Sequence, residues 1–131
     1  MIDLNDYKID EAKEEEGVWE DIGENSRVKV ARMSSKKYTE ELDRILKPHR
    51  RSLRRGTLNE SIIETAMIRA MSKHILLDWE GLTIKGQPIE YTPGNCHKVL
   101  TEFPEFRDQV TEIATSFDLF KAEEEAEAEK N

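Results

Sequence analysis

Apolar residues recur along this chain with two spacings, and each predicts a different element. From Arg27 to Val30 basic and apolar residues alternate. The turn-like cluster Gly23-Glu24-Asn25-Ser26 separates them from Gly17-Val18-Trp19-Glu20-Asp21-Ile22. Period-two alternation beside turn residues predicts a β-hairpin. Further on, the period lengthens. Tyr38, Leu42, Ile45 and Leu46 fall at i, i+4, i+7 and i+8, one stripe of a helix. That helix starts at Ser34 or Ser35, whose hydroxyl suits a free backbone N–H. It ends or kinks at Pro48, which disfavours helical geometry at Lys47. Thr57-Leu58-Asn59-Glu60 matches a capping box and opens the longest helix, read to about Asp78. Ile62, Ile63, Ala66, Met67, Ala70, Met71, His74 and Ile75 give it a broad apolar face, with the methionines as core fillers. Residues Gly81 to Tyr91 read as a loop with two short extended pieces. Thr92-Pro93 supplies an N-cap and a preset first turn for a short helix to about Glu102. Pro104 begins another, with Phe106, Val110, Ile113, Ala114, Phe117 and Phe120 facing inward.

Together these elements predict a mainly α fold, with about four helices around the long central helix and a small N-terminal antiparallel β-hairpin. The expected organisation is an acidic N-terminal arm over residues 1–16, a single globular domain over 17–121 and a Glu-rich C-terminal tail over 122–131. A chain of 131 residues suits one domain with one core. No apolar run approaches the ~20 residues of a membrane-spanning helix. The start, Met1-Ile2-Asp3-Leu4-Asn5-Asp6, lacks the basic and apolar regions of a signal peptide, so a cytosolic setting is expected and no membrane.

Charge changes the picture, because the formal net of −8 hides a segregation. Residues 1–26 carry two Lys and ten acidic residues, whereas residues 27–55 carry eleven Lys and Arg and three acidic residues. The densest basic stretch runs from Lys47 to Arg55 and holds Arg50, Arg51, Arg54 and Arg55. Three readings of it stay open: a solvated face, a nucleic-acid patch, or a surface for self-association. On a helix, Arg50/Arg54 and Arg51/Arg55 are like-charge i,i+4 pairs that an acidic neighbour would relieve. Glu11 and Glu14-Glu15-Glu16 are candidates for that neighbour, from the same chain or another copy. A nucleic-acid patch is the weaker alternative, since the stretch has no interleaved aromatics and the whole chain is acidic.

Candidate chemistry is sparse. Cys96 is the single cysteine, which excludes an internal disulfide and a multi-cysteine zinc site. There is no Gly-rich phosphate loop and no G-x-S-x-G nucleophile elbow. Cys96 and His97 are sequence neighbours and point in different directions on a helix, and His74 sits on an apolar helix face. Asp78 and Glu80 are one carboxylate pair among many. The expectation is a non-enzyme without catalytic residues, metal or cofactor. Trp19 and Trp79 sit at element ends. There they cover a core margin or, in the sharper reading, anchor a partner.

One series of residues is familiar as a whole. Gly17-Val18-Trp19, Lys29-Val30-Ala31-Arg32, Tyr38 and Lys47-Pro48 come first. Ile75-Leu76-Leu77-Asp78-Trp79-Glu80-Gly81, Gly86, Tyr91-Thr92-Pro93, Asn95, Leu100, Pro104 and Phe106 follow, with an aromatic helix ending near Phe120. In order and spacing the series resembles the tail assembly chaperones of long-tailed bacteriophages, over about residues 17–120. Where that family often carries Asn three residues before the Tyr, Ser35 stands here, and both residues are good N-caps. The resemblance implies a protein absent from the finished virion that works in the cytoplasm of the bacterial host. It implies binding to the hydrophobic tape-measure protein, which is kept soluble while tail-tube subunits polymerise around it. It further implies a homo-oligomer. A longer form, made by programmed frameshifting, would recruit the tail-tube protein. Glu129-Lys130-Asn131 is compatible with a slippery adenine-rich heptamer.

Overall fold

In the computed structural model, residues 1–123 are described. The alternating run becomes strand β2 (Ser26–Val30), paired antiparallel with β1 (Val18–Gly23) through Val18↔Val30, Trp19↔Lys29 and Glu20↔Val28. These two strands are not a free appendage. A third strand, β3 (Leu76–Glu80), pairs antiparallel with β2 through Arg27↔Glu80, Val28↔Trp79 and Lys29↔Asp78, so that β2 is central. The register slips between Lys29 and Val30, where Leu76 faces Val30 and Leu77 is the extra residue of a bulge.

The expectation of a mainly α protein, about four helices around a central one with a small N-terminal hairpin, is therefore overturned. The chain is α+β, with a three-stranded antiparallel sheet, a second two-stranded ribbon and helices packed together on the sheet. The physical reason lies in residues 75–78, read from local periodicity as the end of the central helix, most of which belong to β3. Leu76 and Trp79 bury the same face as Val28 and Val30. Backbone pairing with a strand some fifty positions earlier wins over the local helical pattern, as tertiary context commonly does.

Helix α1 (Glu11–Glu16) is followed by the sheet's first hairpin and then by α2 (Lys36–Leu46), a 3-10 turn at Lys47–His49, and α3 (Arg50–Arg54). The central helix α4 (Glu60–His74) starts from Asn59, whose side chain accepts from Ser61 N at 2.9 Å. The capping box read at Thr57 and Glu60 does not form, and the Thr57 hydroxyl donates to Ser52 O at 3.3 Å instead. A two-stranded ribbon, β4 (Thr83–Ile84) with β5 (Gln87–Pro88), leads to α5 (Pro93–Glu102), α6 (Pro104–Ala114) and α7 (Phe117–Phe120). Helix α5 begins at the Thr92-Pro93 pair, with Thr92 Oγ1 accepting from Asn95 N at 3.0 Å. The core gathers Val28, Val30, Leu76 and Trp79 from the sheet. Ile68 and Met71 of α4, Leu100 of α5 and Val110 of α6 complete it. Each such side chain contributes roughly 1.5–3 kcal/mol on burial.

The N-terminal arm is joined to the domain at several points. Asp10 N donates to Phe120 O at 2.9 Å and Ala122 N donates to Lys8 O at 2.8 Å, so the segment near the N-terminus pairs with the one after α7. Glu14 O accepts from Arg32 N at 3.0 Å. The Glu15 carboxylate accepts from the backbone N–H groups of Lys36 and Lys37, the first residues of α2. Ser35 occupies the N-cap position of that helix, but its hydroxyl is buried and makes no hydrogen bond. The cap comes from another element. From residue 124 onward the Glu-rich tail, including Glu129-Lys130-Asn131, lies outside the described residues.

Candidate functional site

A groove of about 680 Å³ lies between the β4–β5 ribbon and the corner joining α5 to α6. Its construction follows from local sequence. Ile84 pairs with Gln87, leaving Lys85-Gly86 as a two-residue loop with positive φ at both positions, 51° and 78°. That is the backbone of a type I′ hairpin turn. The strands are tethered from below. Trp79 Nε1 donates to Ile89 O at 2.8 Å, its ring meets Tyr91 edge-on at 4.9 Å, and Tyr91 OH donates to Leu76 O at 2.7 Å. The opposite wall is the Phe103 corner. Pro104 cannot continue α5, so Phe103 ends one helix and precedes the next, with its side chain 38% exposed. Leu82, Ile84, Ile89, Val99, Phe103 and Phe106 supply the apolar lining, and Lys85, Glu102 and Glu105 stand among them. The apolar part of this lining accepts an apolar face.

The residues singled out from sequence fall in three places. Trp79 is 5% exposed and its N–H is satisfied, so it holds the ribbon to the sheet from inside. Trp19 lies half-buried on the sheet face that carries charge. The Arg27 guanidinium sits 4.2 Å from the centre of its ring and forks onto Glu80 at 2.7 and 2.9 Å. That ion pair raises the Arg27 pKa and lowers that of Glu80, chiefly through the hydrogen bonds between them. Trp19, Arg27 and Glu80 thus form a row across all three strands. Arg50, Arg51, Arg54 and Arg55 stand together on and beside α3, all exposed. Asp43 approaches Arg50 at 3.9 Å, and among the described residues no carboxylate pairs with Arg51, Arg54 or Arg55. Within the chain Glu14 goes to Arg32, at 3.5 Å, and not to this cluster.

The remaining reactive groups are enclosed or dispersed. Cys96 is buried with its thiol 3.5 Å from Leu76 O, and burial pushes its pKa up to about 12. Burial likewise raises Tyr91 and Tyr38. His97 is exposed, on a different side of α5 from Cys96. Among the described residues no three His, Cys, Asp or Glu side chains gather as a metal-binding group. No described helix is long and apolar enough to cross a membrane.

The two short extended pieces read within residues 81–91 are β4 and β5, but sequence reading did not bring Leu82, Ile84 and Ile89 together with Phe103 as a groove. The available signal was Leu82, Ile84 and Ile89, three large apolar residues in a segment rich in turn formers, followed by a Phe before a helix-breaking Pro.

Residues 33–131, three quarters of the chain, match the YdaY prophage protein family. The chain belongs to that family. No curated protein and no solved structure is significantly similar to it. Membership in the YdaY prophage protein family makes this a phage-derived protein and stops short of the tail assembly chaperones. The match begins at Met33, just before α2, and takes in both walls of the Phe103 groove and the arginine-rich α3.

Proposed function

We propose that this protein is a phage tail assembly chaperone. It binds the tape-measure protein through the groove at Phe103, keeps it soluble in the host cytoplasm and promotes tail-tube assembly around it. The observation that carries the reading is that groove, with apolar walls and a large aromatic left partly in water. A long, hydrophobic, helical client needs such a surface, into which one apolar helix face can be laid. The acidic net charge of the chain keeps the client's complex dispersed. Phage derivation and the series from Gly17 to Phe120 are in keeping with the same role.

Co-expression with the tape-measure protein encoded nearby tests it, by pull-down at moderate and high salt. Soluble co-purification at both salts is expected, because apolar contact is little screened. Phe103→Asp is expected to abolish it while the circular dichroism spectrum stays native, since this side chain is already partly solvated. A client that remains insoluble, or an undiminished complex with Phe103→Asp, refutes the proposal.

A second reading, a small nucleic-acid-binding regulator using residues 47–55, is favoured by one observation: among the described residues Arg51 and Arg54 of α3 have no carboxylate partner. Binding of that kind falls steeply with salt and disappears when the four arginines are replaced. The same salt series therefore separates the two.

A further inference from the structure

A second, smaller groove lies between α2 and α3, about 230 Å³ in volume. Leu42, Leu46 and Leu53 form its floor, and Thr39, Asp43, Lys47 and Arg50 stand at its rim, with Arg51 and Arg54 following in α3 so that the basic charge outweighs Asp43. Leu53 is 43% exposed although it lies in a helix of five residues with four arginines around it. The volume is below the ~300–1,000 Å³ of small-molecule pockets and suits one or two side chains of a peptide. What belongs there must be apolar where it meets the leucines and acidic where it meets the rim.

The chain itself carries such a segment. Met1-Ile2-Asp3-Leu4-Asn5-Asp6-Tyr7 intersperses apolar residues with carboxylates. Its apolar side chains are uncovered, with Ile2 75% and Leu4 80% exposed, among the most exposed large apolar residues of the protein. The segment is rooted at Lys8–Asp10, which pair with Phe120–Ala122, and only Tyr7 finds an aromatic neighbour, Phe117, at 6.0 Å between ring centres. The rest of it projects into solvent beside α7. Among the described residues, Met1, Ile2 and Leu4 stay uncovered and Arg51, Arg54 and Arg55 have no acidic partner.

We propose that residues 1–7 of one copy dock into the α2–α3 groove of a second copy. Ile2 and Leu4 then cover Leu42, Leu46 and Leu53, and Asp3 and Asp6 meet the cluster Lys47, Arg50, Arg51 and Arg54. Charge selects this groove over the larger one at Phe103, because there Glu102 and Glu105 outnumber Lys85 and the net charge of the lining repels an acidic arm. The contact joins two different surfaces, so repetition gives either a closed ring or an open chain of protomers. It is independent of what occupies the Phe103 groove.

Sedimentation velocity on the full-length protein tests this over a concentration series at low and high salt. The wild type is expected to self-associate, with affinity falling as salt rises. Leu4→Asp spoils the arm and Leu53→Asp spoils the groove. Both positions are exposed, so both variants are expected to keep native circular dichroism, and each is expected to be monomeric. Mixed together, the two monomers are expected to form a one-to-one dimer, because one still has an intact groove and the other an intact arm. Arg50→Glu with Arg54→Glu is expected to abolish assembly, and mixing it with Asp3→Lys and Asp6→Lys to restore it. A wild type that stays monomeric at low salt and high concentration overturns the proposal. So does assembly that survives Leu4→Asp. If the groove variants lose binding to a random-sequence DNA duplex while self-association is unchanged, the groove belongs to nucleic acid and the proposal is likewise overturned.

Discussion

Replacing Glu15 probes how the acidic arm and the first domain helix support each other. Its two carboxylate oxygens accept from Lys36 N and Lys37 N at the start of α2. An N-cap acceptor is worth about 1 kcal/mol. A carboxylate at the positive end of the helix dipole adds about 0.3–1 kcal/mol when exposed. The contact is solvated, which places the whole effect of Glu15→Ala near 1–1.5 kcal/mol. Glu15→Gln keeps an acceptor oxygen and loses the charge, so about half of that loss is expected. For a domain of this size, each kcal/mol moves the Tm by about 3–5 °C. Glu15→Ala is therefore expected to melt about 3–7 °C below the wild type in a calorimetric or circular dichroism scan. Ser35→Ala is the control. Ser35 occupies the N-cap position but its hydroxyl is buried without a partner, so its removal is expected to leave the Tm unchanged or to raise it. The reasoning fails if the order is reversed, with Ser35→Ala costing about 1 kcal/mol and Glu15→Ala costing nothing.

Two further predictions concern the sheet and the α2–α4 contact. Gly81 has φ +77° and a Cβ there would overlap the Asn25 carbonyl oxygen in the β1–β2 turn, so Gly81→Ala is expected to cost at least about 3 kcal/mol in urea unfolding, and a loss under 1 kcal/mol counts against the close approach. Glu41 is nearly buried and accepts from Lys73 Nζ and Arg44 Nε, both at 2.8 Å; the Lys73 hydrogen bond leads in holding its pKa below the ordinary value. A lowered folded pKa means stability that is present above the unfolded value and lost as pH falls through the folded one. Glu41→Gln is thus expected to be less stable at pH 7 and to show a flatter decline below about pH 4.5 than the wild type, followed by chemical denaturation across pH 3–7.

The parts of the fold legible in the sequence are those settled within one or two turns. Thr92-Pro93 starts α5 because the cap and the fixed φ act on their own neighbours. Pro48 and Pro104 end helices for the same kind of reason. What escaped was decided across long separations. The helical apolar pattern runs on to about Asp78, yet Leu76–Glu80 becomes a strand because β2 offers it a partner and Gly81 lets the chain pass under the β1–β2 turn. Ser35 looks like a cap and is not one, because a carboxylate from α1 reaches the same N–H groups. The larger groove escaped likewise. Leu82, Ile84 and Ile89 belong to a loop by composition, and only the tether from Trp79 to Ile89 sets them opposite Phe103. Trp79, read as covering a core margin or as anchoring a partner, is the buried support of the surface.

The pairing of Lys8–Asp10 with Phe120–Ala122 also bears on how the protein is made. The bonds that fasten the arm are among the most sequence-distant in the described chain, so they close only after the other described elements have been synthesised. Until Ala122 has left the ribosome, Lys8 and Asp10 have no partner, and the arm hangs on α1 and its contacts with Arg32 and α2 alone. During that interval its apolar tip is free to find another chain, and neighbouring ribosomes on one message hold such chains close together. If the arm docks on a second copy as proposed, that docking is expected to begin on the polysome.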